Sequence, residues 1–165
     1  MLKSVKRFLD VGLEGITALV MGILVIDVVW QVITRFLLKS PSNWTEELAT
    51  YLMIWVGLLG AAVALRRRAH LGIDYFTQKL DKRKQLFSEV FVLLSVIGFS
   101  VSVLLIGGIQ LVTLTFQLGQ TAPATGISLG YVYLSVPISG FFLTMYGIEF
   151  LIDALQKLNT RKSAS

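Results

Sequence analysis

From Val90 to Ile148 the chain runs without a single Asp, Glu, Lys or Arg. Crossing about 30 Å of hydrocarbon takes roughly 20 helical residues, so this run is too long for one span and must turn back inside itself. The turn is legible in "GQTAPATGIS", residues 119–128, where Gly119, Pro123, Gly126 and small hydroxyl residues break helical propensity. Spans are therefore expected at about 86–116 and 129–155. The same search, for apolar runs and the charges that end them, gives two more at about 11–38 and 45–65. With 165 residues, 55% hydrophobic and 15% charged, the chain is too apolar for a soluble domain of its size. The expected fold is one all-α integral membrane domain over residues 1–165, with four transmembrane helices.

Charge sets the expected orientation, because cytoplasmic loops retain Lys and Arg during insertion. Lys3, Lys6, Arg7, Arg66, Arg67, Arg68, Lys79, Lys82, Arg83, Lys84, Lys157, Arg161 and Lys162 fall on the side that holds both termini, against Arg35 and Lys39 on the other. Both termini and the 66–85 linker are thus expected in the cytoplasm, with the 39–44 and 117–128 loops outside. The net charge of +5 is a topology signal and calls for no nucleic-acid partner. Lys3, Lys6 and Arg7 imitate the start of a secretory signal. The segment behind them is too long, carries Asp27 and meets no small-residue cleavage site, so it reads as a retained first helix. The absence of cysteine excludes disulfides and thiolate chemistry.

The polar residues near these spans are the candidate functional residues. Trp44, Glu46 and Glu47 stand at the outer N-terminus of the second span. Unpaired backbone N–H groups and the positive end of the helix dipole favour carboxylates there, and Asn43 with Glu46 has the spacing of a capping pair. The alternative is docking, with one carboxylate facing a partner protein. Asp27, Gln31 and Arg35 recur every four residues and form one stripe on the first helix. An ionised Asp at membrane depth costs at least about 2.5–3.5 kcal/mol on insertion scales, so Asp27 must be protonated, hydrated or paired. An internal polar ladder, a subunit contact and a proton or ion site are the three readings. Glu149 and Asp153 share a face where the helix dipole disfavours them, and Arg66, Arg67 and Arg68 are the expected partners inside the chain, a neighbouring protein being the alternative.

The linker "HLGIDYFTQKLDKRKQL", residues 70–86, mixes apolar residues with a basic second half. A short amphipathic helix over about 70–84 accounts for this, with Tyr75 and Phe76 in the membrane interface and Lys79, Lys82, Arg83 and Lys84 toward anionic headgroups. His70, the single histidine, has no companion for a metal site and is expected to close the linker by a hydrogen bond, with Asp74 as acceptor. Gly57 with Ala61, Gly60 with Ala64, and Gly98 with Ser102 are spaced to let helices approach closely. Pro137 is expected to bend the fourth span.

No Gly-rich phosphate loop with a lysine, no paired carboxylates across a pocket and no nucleophile with a base are present, so neither ATP hydrolysis nor another enzymatic activity is expected. No metal or cofactor is expected either. A self-sufficient transporter shows repeated halves and interrupted helices round a midplane site. This chain has one deep acid and no repeat, and reads as part of a machine whose active site lies elsewhere.

Residues 31–74, "QVITRFLLKSPSNWTEELATYLMIWVGLLGAAVALRRRAHLGID", resemble the signature region of the small, Q-type membrane subunit of tripartite ATP-independent periplasmic (TRAP) transporters. The resemblance rests on Arg35-Phe36, Trp44 with Glu46-Glu47, Trp55, Gly60-Ala61, and His70 with Asp74. Residues 121–137, "TAPATGISLGYVYLSVP", resemble the family's second outer loop and the start of its fourth helix. The resemblance implies a bacterial inner-membrane importer in which a periplasmic substrate-binding protein captures an organic acid, such as a C4-dicarboxylate or a sialic acid. It implies that a large M-type subunit, moving as an elevator, holds the substrate and sodium sites while the small subunit is a stationary scaffold. It adds weight to docking for Glu46 and Glu47 and to subunit contact for Asp27 and Arg35. The competing reading from the residues is a small homodimeric proton-coupled exporter that uses Asp27.

Overall fold

The computed structural model describes residues 2–40, 42–67 and 82–162, and the side chains of 6–40, 42–67 and 85–157. Every long element is helical. The chain forms α1 (Leu2–Phe36), α2 (Asn43–Arg66), α3 (Lys82–Phe99), a π-helical segment (Ser100–Gly107), α4 (Gly108–Gln117), α5 (Leu129–Tyr133) and α6 (Ser135–Lys162). The segment from α3 to α4 is one continuous rod, since the residues flanking the π turns keep right-handed helical dihedrals. Four stretches are long and apolar enough to cross a membrane: Lys6–Phe36, Asn43–Arg66, Gln85–Gln117 and Leu129–Lys157.

The four spans do not close into a bundle. Among the described residues α1 packs along α2, α2 along α6, and α6 along the α3–π–α4 rod, while α2 and α3 do not meet. The spans stand in a row, in the order first, second, fourth, third. A row leaves both broad faces uncovered, which is tolerable only for apolar side chains facing lipid or another apolar surface. The burial follows from this order. Only 6% of the most apolar window of the first span is buried, against 28% in the fourth, because α1 is an edge of the row and α6 lies between two neighbours. The core is correspondingly small, with Leu13, Leu59, Ala62, Leu65 and Tyr146 joining α1, α2 and α6.

The α6 seam with the third span is built on glycine. A Cβ at Gly140 would stand 2.7 Å from Leu104 Cβ and 3.1 Å from backbone, one at Gly147 would stand 2.8 Å from Ile97 Cγ1, and one at Gly108 would stand 2.9 Å from Val136 Cγ1. Close backbone approach substitutes for a hydrophobic driving force that lipid does not supply. The sequence pattern picked the wrong glycines. Gly57, Gly60 and Gly98 have nothing within 4 Å of a built Cβ. Four-residue spacing puts small residues on one helix face, but it does not say whether a neighbour stands there.

Pro137 offers no N–H to the carbonyl of Tyr133, and regular helical bonding lapses at Leu134, between α5 and α6. Leu134 nevertheless keeps right-handed helical dihedrals; its N–H donates to Gly130 O at 3.2 Å and its carbonyl accepts from Ile138 N–H at 3.3 Å, so the proline perturbs the span without breaking it. The π turns of the neighbouring rod lie close by, where Gly108 meets Val136 and Pro137.

The first helix begins well before residue 11, at Leu2. Lys6, Asp10 and Glu14 therefore belong to it and stack one turn apart on a single face. The interfacial helix over 70–84, the His70–Asp74 bond, and Tyr75, Phe76 and Lys79 lie outside the described residues. Lys82, Arg83 and Lys84 open α3, with their side chains outside the described set.

Candidate functional site

The polar chemistry collects at the two ends of the row. At one end the third span stops in a Schellman motif: Gln120 N–H donates to Thr115 O at 3.2 Å and Gly119 N–H to Phe116 O at 3.1 Å. Gly119 takes φ +60°, which a side chain would resist. The loop then closes on itself. Thr121 and Ser128 form an antiparallel bridge, Ala122 N–H donates to Ile127 O at 2.8 Å, and Leu129 N–H donates to Gln120 O at 3.0 Å.

The tip of that loop is held by Glu47. Its Oε2 accepts the backbone N–H of Thr125 at 2.7 Å and of Ala124 at 3.1 Å, charge-assisted bonds of the stronger kind. The two adjacent glutamates are thus unlike. Glu47 is half-buried against the loop, whereas Glu46, in the first turn of α2, is exposed next to an exposed Trp44. The expected Asn43–Glu46 capping pair is not what starts α2. Ser42 is the N-cap residue, with Asn43 already in the helix and no side-chain cap bond. Instead Ser42 Oγ and Thr45 Oγ1 lie 2.7 Å apart, and Thr45 Oγ1 donates to Ser42 O at 2.8 Å.

The other end carries a network that the sequence reading missed. Tyr146, 0% exposed, donates its hydroxyl to Asp10 Oδ1 at 2.7 Å. Asp10 Oδ2 lies 3.3 Å from Arg66 Nε, so one carboxylate ties α1 to both α2 and α6. Arg66 Nη1 stands 2.6 Å from Glu14 Oε1 as an ion pair whose angles are not those of a hydrogen bond. Arg67 Nε donates to the same oxygen at 3.0 Å. Lys6 pairs with Glu149 across α1 and α6. The expectation that Glu149 would take Arg66 to Arg68 is corrected: its partner is Lys6, and Arg66 and Arg67 serve the acids of α1. The reason is geometric, since α1 reaches far enough to put its own acids between the arginines and α6. The signal was present in the four-residue spacing of Lys6, Asp10 and Glu14.

Between the two ends, Asp27 is buried, at 7% exposure. Its Oδ2 has no hydrogen-bond partner. Gln31 is half-buried and Arg35 exposed, so the stripe does not neutralise Asp27 from within. Among the described residues no three His, Asp or Glu gather into a group able to hold a metal ion.

The sequence matches known proteins along most of its length. Residues 5–157 match the family model described as tripartite ATP-independent periplasmic transporters, DctQ component. The chain is 30% identical over 162 residues to the sialic acid TRAP transporter small permease protein SiaQ of Vibrio cholerae, covering 95% of this chain and 89% of the relative. It is 31% identical over 100 residues to the C4-dicarboxylate TRAP transporter small permease protein DctQ of Rhodobacter capsulatus, covering 58% of this chain and 41% of the relative. It also matches a larger protein, the sialic acid TRAP transporter permease protein SiaT of Haemophilus influenzae, at 39% identity over 66 residues, which is 40% of this chain and 11% of the relative. With a family match along nearly its whole length and four spans able to cross a membrane, the chain belongs to the small permease (DctQ) component of the TRAP transporters.

Proposed function

We propose that this small permease subunit is a stationary scaffold for a large M-type subunit in the bacterial inner membrane. In this reading its loop end, expected outside, helps dock a periplasmic substrate-binding protein during sodium-driven uptake of an organic acid. The row of four spans is the observation that carries it. A single layer of helices with two uncovered apolar faces suits a wall that broadens another membrane protein, and it encloses little volume of its own. The names of the relatives, sialic acid and C4-dicarboxylate transporters, support an organic acid as cargo.

Within this reading the two glutamates divide the work. Trp44 and Glu46 are exposed and offer direct contact, while Glu47 acts at one remove by fixing the loop tip. Arg35, exposed on α1, belongs to subunit contact, whereas Asp27, expected from the sequence to share that role, is buried within the chain and is not available for it. Both termini and the basic linker face the cytoplasm, with Tyr75, Phe76, Lys79, Lys82, Arg83 and Lys84 against lipid. Purification in mild detergent at native expression, followed by mass spectrometry, tests the scaffold: a stoichiometric large polytopic permease is expected. Recovery only as a self-associated dimer would overturn it and move Asp27 to the centre.

A further inference from the structure

Two acids are buried among the described residues, Asp10 and Asp27, both on α1. Asp10 keeps its charge by taking Tyr146 and Arg66 as partners. Asp27 lies about 25 Å further along the helix, at 1.5 Å per residue, and its buried Oδ2 has no protein partner. The charged groups around it are all engaged elsewhere or too far away. Among the described helices α1 runs along α2 alone. Between Glu47 and Arg66 that helix carries no charged residue, and its one titratable side chain there, Tyr51, turns to Glu47. α6 reaches α1 only at the far end, through Lys6 and Asp10. On α1 itself Glu14 is engaged with Arg66 and Arg67. Arg35 is exposed and stands roughly 12 Å further along the axis.

We infer that Asp27 is a proton site, a neutral carboxylic acid at neutral pH, and that its proton lets α1 close against α2 at membrane depth. An ionised carboxylate sealed there would be an unpaired charge taken out of water, far costlier than a neutral polar group. With no cation of this chain facing it, the group becomes neutral by holding a proton instead. The two buried acids of α1 are thus kept by opposite means: Asp10 by a cation at the charged end of the row, Asp27 by a proton inside the apolar part. The proton is a fixed component of the α1–α2 seam and not cargo. A neutral side chain of the same shape should therefore serve at position 27 and fail at position 10. The inference rests on α1 and its neighbours in this chain, and stands whether or not the scaffold reading does.

The test uses the full chain in lipid nanodiscs at neutral pH, with the side-chain carboxyls of aspartate isotopically labelled, read by infrared spectroscopy. Wild type is expected to show the C=O stretch of a protonated carboxyl that moves with the label and with deuteration, and Asp27→Asn is expected to lack it. If all the labelled aspartate of wild type absorbs as carboxylate, the proposal is overturned, whether water or another group serves the charge; this arm needs no variant. A band that survives Asp27→Asn belongs to another aspartate and overturns the assignment. Thermal unfolding in the same nanodiscs supplies an independent readout. Asp27→Asn should keep the wild-type midpoint, since one neutral group replaces another, while Asp10→Asn should lower it by losing the charge that faces Arg66. A fall for Asp27→Asn as large as that for Asp10→Asn, or failure of Asp27→Asn to fold, would show that position 27 needs its charge and overturn the proton site.

Discussion

The two seams of α6 join similar apolar helices by different means. Against the third span the contact is dry and glycine-based, with Gly140 and Gly147 admitting Leu104 and Ile97. Toward α1 and α2 it ends in a polar clamp, where Tyr146, Asp10 and Arg66 meet. The difference teaches that a membrane helix finds its neighbour either by removing side chains or by offering a partner for a group that lipid cannot solvate. α1, with one packed neighbour and most of its apolar surface uncovered, depends on the second means.

Substitutions sharpen that contrast. Gly140→Leu is expected to do most damage, about 3 kcal/mol or more, because part of what it meets is backbone that cannot give way. Thermal unfolding in detergent reads it, and an unchanged midpoint would show that the rods are free to separate. Asp10→Ala comes next, at about 3 kcal/mol, the low end for breaking a buried pair because Arg66 keeps Glu14. Tyr146→Phe strands Asp10 Oδ1 alone and should cost about 1–3 kcal/mol in the same assay. If Asp10→Ala leaves stability intact, the Asp10 bridge is dispensable and the packing of α1 along α2, with the pairs of Glu14 and Lys6, holds the helix.

At the loop end the contrast is between neighbours in sequence. Glu47→Ala should raise hydrogen exchange at Ala124 and Thr125 on the order of tenfold by freeing their N–H groups. Glu47→Gln keeps an acceptor and should fall between, and Glu46→Ala should leave both amides protected. Uptake by the assembled transporter adds the functional side: impairment by Glu47→Ala together with loop loosening marks a positioning residue, whereas impairment by Glu46→Ala with a protected loop marks direct contact. The smallest effect is expected at Lys6, where Lys6→Ala removes a half-exposed ion pair with Glu149 and should cost below about 1 kcal/mol.

Much of this architecture was legible in one dimension. Span number, the turn at 119–128 and the disturbance at Pro137 depend on length, hydropathy and backbone chemistry, which are local properties. The clamp was less visible. Lys6, Asp10 and Glu14 repeat every four residues, but Tyr146 carries no charge and lies far along the chain, so its pairing with Asp10 has no local sign. The glutamates at 46 and 47 are indistinguishable by composition. The helix rotation at that point turns one toward a loop that arrives 77 residues later and the other toward the surroundings.

The sequence by itself determined that the chain is a four-span membrane protein with its positive charge gathered on one side, because bilayer thickness and backbone hydrogen bonding leave few alternatives to an apolar run. Only the tertiary structure decided the order of the row, which glycines lie in a seam, which acid holds the loop and which acid is buried without a partner. Those depend on which face of each helix meets a neighbour. In lipid, with apolar surface on nearly every side, hydropathy cannot tell one face from another.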